Sequence, residues 1–154
     1  MADESAAEFD AEFDAPANEV RYLRKVDAIR EAARKVESIL GVHFVKPRYE
    51  DEVAFYRTKE DADRRYEWTE ERERARLTIG VHPNVEGGTY CPDAFAPEVK
   101  DDPWACEPAA WKAAVLDELR VLLRLDETEK EYFEYAISVF RGETLHPAVL
   151  ADIQ

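Results

Sequence analysis

The sequence predicts an α+β fold: a long N-terminal helix, a small β-sheet in the middle and a C-terminal helical hairpin, led by an extended acidic N-terminal arm. Three observations predict it. Apolar residues recur at helical spacing over 22–40 and again after 108. Short β-branched and aromatic runs, bounded by turn residues, lie between those segments. Apart from Met1, Phe9 and Phe13, the first 17 residues are acidic or small, and "AEFDAEFDA" at 7–15 is one tetrapeptide written twice. The expected organisation is an interaction arm over 1–17 and a single α+β domain over 18–154. A chain of 154 residues with 45% hydrophobic residues is long enough to bury a core without disulfides or metal.

Each element has its own signal. Asn18 is placed to cap a helix running to Leu40, with Tyr22, Val26, Ile29, Ala33, Val36 and Leu40 alternating at spacings of four and three. Gly41 ends it in the left-handed conformation that glycine tolerates. The stripe fits either the domain's own core or a helix–helix seam with another subunit. Val42–Val45 and Val53–Arg57 read as strands, and Leu77–Val81 is the clearest strand in the chain. The charged run "KEDADRRYEWTEERERAR" at 59–76 fits a solvated helix or a long polar hairpin arm. His82-Pro83-Asn84 and Gly87-Gly88 are turn signals. Residues 90–107 hold three prolines and little periodicity, so an irregular loop packed down by Phe95 and Trp104 is expected. Pro108 opens a well-buried helix to Leu125 that carries Trp111, Val115, Leu116, Leu119, Leu122 and Leu123. Asp126 and Glu129 form a capping-box pattern before a third helix, which Gly142 ends after Arg141.

Charge is distributed unevenly. The total is −14, of which residues 1–20 carry −7 with no base, while residues 21–50 carry +4. That asymmetry points to an interaction tail beside a basic patch of Arg21, Arg24, Lys25, Arg30, Arg34 and Lys35. Direct nucleic-acid binding is disfavoured, because phosphate repels a surface with a pI near 4.7. The acid excess also fits a halophilic host, in which a charged surface keeps proteins soluble in concentrated salt. No apolar run approaches a membrane span. The opening Met-Ala-Asp-Glu has no basic segment followed by an apolar one, and two cysteines suit a reducing compartment, so cytoplasmic synthesis is expected.

Residues that could carry chemistry do not form a recognisable pattern. His82, Cys91 and Cys106, with Asp93 or His43, lack the close ligand pairs of a structural zinc site, so neither metal nor cofactor is expected. Cys91 with His82 or His43 would make a nucleophile–base pair only if the side chains touch. Among 35 acidic residues, adjacent carboxylates such as Asp101-Asp102 arise by chance. No phosphate-binding loop, dinucleotide fingerprint or nucleophile elbow occurs.

The repeated tetrapeptide is the stronger lead. On a helix Phe9 and Phe13 share one face, while Glu8, Asp10, Glu12 and Asp14 meet water or a basic partner. That is the format of a helix laid into a groove; the alternative is an unstructured acidic leader. The expected partner-binding residues are Phe9, Phe13, Asp10 and Asp14 of the arm, with Arg21, Arg24, Lys25, Arg30 and Arg34 of the helix after it.

In layout the "AEFDAEFDA" arm, the helix Asn18–Leu40 and the hairpin Pro108–Arg141 resemble small neck or head–tail connector proteins of tailed viruses. The resemblance implies a non-enzymatic assembly or adaptor subunit, a homo-oligomer with protein partners, incorporated into a virion. An acidic inhibitor that mimics DNA and a small enzyme using Cys91 and His82 are the other classes the residues allow.

Overall fold

The predicted stripe on the first helix is the part of the chain that organises the rest. In a computed structural model, which describes residues 15–45, 51–82, 88–95 and 107–144, helix α1 spans Ala15–Leu40. Its Val26, Ile29, Ala33 and Val36 are buried in the protein's own core, joined by Ala32 and by half-buried Tyr22. Leu40, the last member of the stripe, is exposed. Asn18 falls inside the first turn and does not cap the helix, which begins at Ala15, so 15–17 belong to α1. Pro16 suits that first turn, where no backbone N–H is needed. Gly41 closes the helix at φ 72°, as expected.

Four antiparallel strands follow in sheet order: β1 (His43–Val45), β2 (Glu52–Tyr56), β3 (Arg76–His82) and β4 (Thr89–Pro92). Register pairs Phe44 with Phe55, Phe55 with Leu77, Val53 with Ile79, and Val81 with Tyr90. Because side chains alternate along a strand, these residues share one face and meet α1, α4 (Ala110–Leu122) and α5 (Glu127–Phe140). Val45, Ala54 and Tyr56 point the other way and form a second, small cluster with Ala62.

The charged run is neither one helix nor a hairpin. It forms two five-residue helices, α2 (Lys59–Asp63) and α3 (Glu70–Arg74), each begun by a threonine whose hydroxyl accepts a backbone N–H. The expected loop over 90–107 is also corrected at its start. Tyr90, Cys91 and Pro92 form the edge strand β4, and all three are buried. Burial on both faces removes the polar alternation that marks a half-exposed strand. The chain then turns through a short 3₁₀ segment, Asp93–Phe95, where Phe95 stacks on Tyr132 at 4.1 Å. Trp104 and Cys106 lie outside the described residues.

Helix α4 is shorter than expected at both ends. Leu123 leaves it in extended conformation, and Leu122, expected in the core, is exposed. The capping box is present as predicted: Asp126 Oδ1 accepts the Glu129 N–H at 2.8 Å, and Glu129 Oε1 accepts the Asp126 N–H at 3.0 Å. Gly142, at φ 78°, ends α5.

Candidate functional site

The expected site splits in two. Phe9, Asp10, Phe13 and Asp14 lie outside the described residues. Of the basic patch, Arg21, Arg24 and Arg34 are exposed on α1 and Arg30 is half-buried. Lys25 is turned inward. Its ammonium lies 2.7 Å from Glu129 Oε2, donates to the Gly88 carbonyl at 3.0 Å, and sits over the Tyr90 ring at 4.9 Å. This takes Lys25 out of the outward basic surface. The helical wheel carries the signal: position 25 is three residues after Tyr22 and four before Ile29, on the core side of α1.

Glu129 is fully buried and its carboxylate is satisfied from three elements: Lys25 of α1, the Tyr90 N–H of β4 at 2.8 Å, and its own cap through the Asp126 N–H. Tyr90 closes the ring by donating its hydroxyl to the Lys25 carbonyl at 3.1 Å. Burial first, and then the Glu129 charge, push the Tyr90 phenol well above its ordinary pKa. Beside it, the Tyr22 hydroxyl donates to Asp51 Oδ2 at 2.8 Å. Burial, that bond and the Asp51 charge push the Tyr22 phenol up to about 12. This cluster is a structural tie that holds α1 against β4 and the start of α5.

The opposite side of α1 is different. Val20 is 47% and Leu23 is 51% exposed, and the two stand three residues apart on adjacent turns. Arg24, Asp27, Glu31, Arg34 and Lys35 continue the exposed face; Lys35 lies 3.9 Å from Glu31. Sequence reading passed over Val20 and Leu23 because they fall off the core stripe. A second exposed apolar pair, Tyr66 and Trp68, stands between α2 and α3, with the Arg65 guanidinium 4.5 Å from the Tyr66 ring centre.

The sheet's second face holds the chemistry-bearing side chains. Cys91 pairs with Gly80, and the His82 ring folds over that glycine, with Nε2 3.5 Å from where a Cβ would stand. The Cys91 thiol is buried and donates to the Pro92 carbonyl at 3.9 Å. Among the described residues no hydrogen bond joins Cys91 to His82, and no group of three His, Cys, Asp or Glu could hold a metal ion.

Asp93 is the titratable group most altered by its position. It is buried and accepts the Thr78 N–H at 2.8 Å. Burial pushes its carboxyl up to about 6, against the opposing pull of the Thr78 bond and of the Lys112 and Arg76 charges. Lys112 is itself buried, with its ammonium 5.2 Å from the Phe140 ring centre. Between pH 6 and 4 the native state holds a proton that the unfolded chain releases, so this group stabilises the fold as pH falls through that window. The rise from the ordinary aspartate value of 3.8 to about 6 is worth about 3 kcal/mol once the pH lies well below both values. The stability difference between the parent and Asp93→Asn, measured by urea unfolding at pH 7 and pH 4, should therefore move by about 2 kcal/mol in the parent's favour at pH 4. A difference that stays flat would show that Asp93 remains ionised beside Lys112.

No protein-family model matches the chain, and no curated protein or solved structure matches it. Among the described residues no helix is long and apolar enough to cross a membrane.

Proposed function

We propose that the protein is a non-enzymatic assembly or adaptor subunit that binds neighbours through its N-terminal arm and the outer face of α1. The observation that carries this reading is the exposure of Val20 and Leu23 on a helix whose opposite face is fully used by the core. That exposed pair directly follows the acidic segment that bears Phe9 and Phe13. Apolar side chains left in water beside a rim of charge are what a binding surface offers before its partner arrives. A connector-like place in a larger particle is the setting the layout suggests.

The test is cross-linking mass spectrometry on complexes assembled in the native source around the tagged full chain, a variant lacking residues 1–14, and Val20→Ser/Leu23→Ser. Both variants should melt within about 2 °C of the parent, since surface changes alter stability by about 0.5 kcal/mol or less. Both should also lose the cross-links that leave α1. Unchanged cross-links in both variants would overturn the reading.

A further inference from the structure

We propose that residues 57–75, which carry α2 and α3, form a hinged flap that opens as one unit off the sheet's second face while the rest of the fold stays closed.

Topology carries the first part. The segment leaves β2 after Tyr56 and rejoins the sheet at Arg76 of β3, and those two residues face each other across the ladder. The flap is therefore an excursion from a hairpin already closed at its base. Opening it breaks no pair of the β2–β3 ladder.

Bonding carries the second part. The backbone bonds at the ends of both helices stay inside the segment: Ala62 to Thr58, Arg64 to Glu60, Glu67 to Arg64, Glu73 to Thr69 and Ala75 to Glu71. Side chains then join the two helices to each other. Arg72 of α3 lies 3.9 Å from Asp61 of α2 and donates to the Glu67 carbonyl between them. Arg65 donates back to the Ala62 carbonyl. Among the described residues one ion pair leads away, Arg74 to Glu107 at 3.7 Å with both partners exposed, and such pairs hold little. A second reaches only the hinge, Glu73 to Arg76 at 2.9 Å. The segment is bonded to itself and loosely bonded to the rest.

Packing carries the third part. Helix α3 buries no residue, and α2 buries only Ala62. Ala62 meets Ala54, Tyr56 and half-buried Val45 in a small cluster separate from the main core. The closed state also has a cost. The Nε atoms of Arg65 and Arg72 in the flap, and the Arg76 Nε and Thr78 hydroxyl on the adjoining strand, are buried without a hydrogen-bond partner. Water satisfies such atoms when the flap opens, which favours the open state. Segments with few buried apolar contacts open below the free energy of global unfolding. Opening gives the sheet's second face two states, one covered and one in which Val45, Ala54 and Tyr56 meet solvent.

The test is hydrogen exchange of the full chain, read segment by segment in increasing urea. Five-residue helices do not persist alone in water, so their amides exchange whenever the flap opens. Amides of α2 and α3 should exchange at least about a hundredfold faster than those of β2 and β3, at rates nearly flat in low urea, the mark of local opening. Ala62→Glu puts a charge into the small cluster. It should speed exchange in α2 and α3 alike by more than about tenfold and leave β2 and β3 within about threefold of the parent. Circular dichroism confirms that the variant is folded. Exchange of α2 and α3 with the full urea slope of global unfolding overturns the flap, because the segment would then open only with the whole domain. Acceleration confined to α2 overturns it too, since the helices would be fraying separately. Equal acceleration of β2 and β3 overturns its independence from the sheet.

Discussion

Glu129→Ala is expected to cost the fold about 3–5 kcal/mol, the loss seen when one partner of a buried ion pair is removed. The carboxylate accepts from Lys25, from the Tyr90 N–H and from the Asp126 N–H, and it is fully buried. Its removal strands the Tyr90 N–H inside the protein and leaves the Lys25 ammonium with the Gly88 carbonyl and the Tyr90 ring. It also deletes half of the capping box of α5. In a domain of this size the melting temperature should fall by about 6–20 °C. Lys25→Met should cost less, because two backbone N–H groups still hold Glu129. Thermal unfolding followed by circular dichroism measures both. A loss below about 1 kcal/mol for Glu129→Ala would mean that Lys25, one-quarter exposed, swings out to water and that the tie is not a tie. Arg24→Ala, one position away on the outer face, should leave stability within about 0.5 kcal/mol.

That contrast between adjacent residues shows what the sequence can and cannot disclose. Helix α1, the glycines that end α1 and α5, and the Asp126–Glu129 box were legible because each depends on residues within one or two turns. The role of Glu129 beyond its cap was not, since Tyr90 is 39 and Lys25 is 104 residues away in the chain. Strand β4 was missed for a related reason. Tyr90 faces the helices, Cys91 faces away, and both are buried, so no alternation marks them. The run 59–76 was ambiguous because charge at nearly every position carries no period; the threonines at 58 and 69, which start α2 and α3, were the local signal available.

The candidate surface was half legible. The repeated Phe motif and the basic residues of α1 stand out in composition. Their grouping by composition, however, placed Lys25 with Arg24, although the helix turns one toward Glu129 and the other to water. Val20 and Leu23 went unnoticed because an exposed apolar residue is defined by what fails to cover it, and that is a property of the folded chain.

Leu119→Ala and Leu122→Ala should separate sharply, although the residues are identical and three positions apart. Leu119 is 0% exposed within the core, and its truncation should cost about 2–5 kcal/mol. Leu122 is 37% exposed, at the last residue of α4, on the same side as half-buried Trp111 three turns earlier. That side flanks the arc of Lys112, Val115, Leu116 and Leu119 that the helix buries. Six large apolar residues spread round α4 suggest a helix buried on every side, but a helix end has fewer neighbours to cover it. Leu122 keeps nearly two-thirds of its surface covered, and removing those contacts should cost about 1–2 kcal/mol, with no closed cavity left behind. Urea unfolding of the two variants at one pH measures the pair, and unchanged m-values would show that the denatured chain is the same in both. Equal losses would place Leu122 in the core and the end of α4 under cover. The expected inequality instead places Leu122 at the partly open end of α4, with Val121 at 80% exposure beside it.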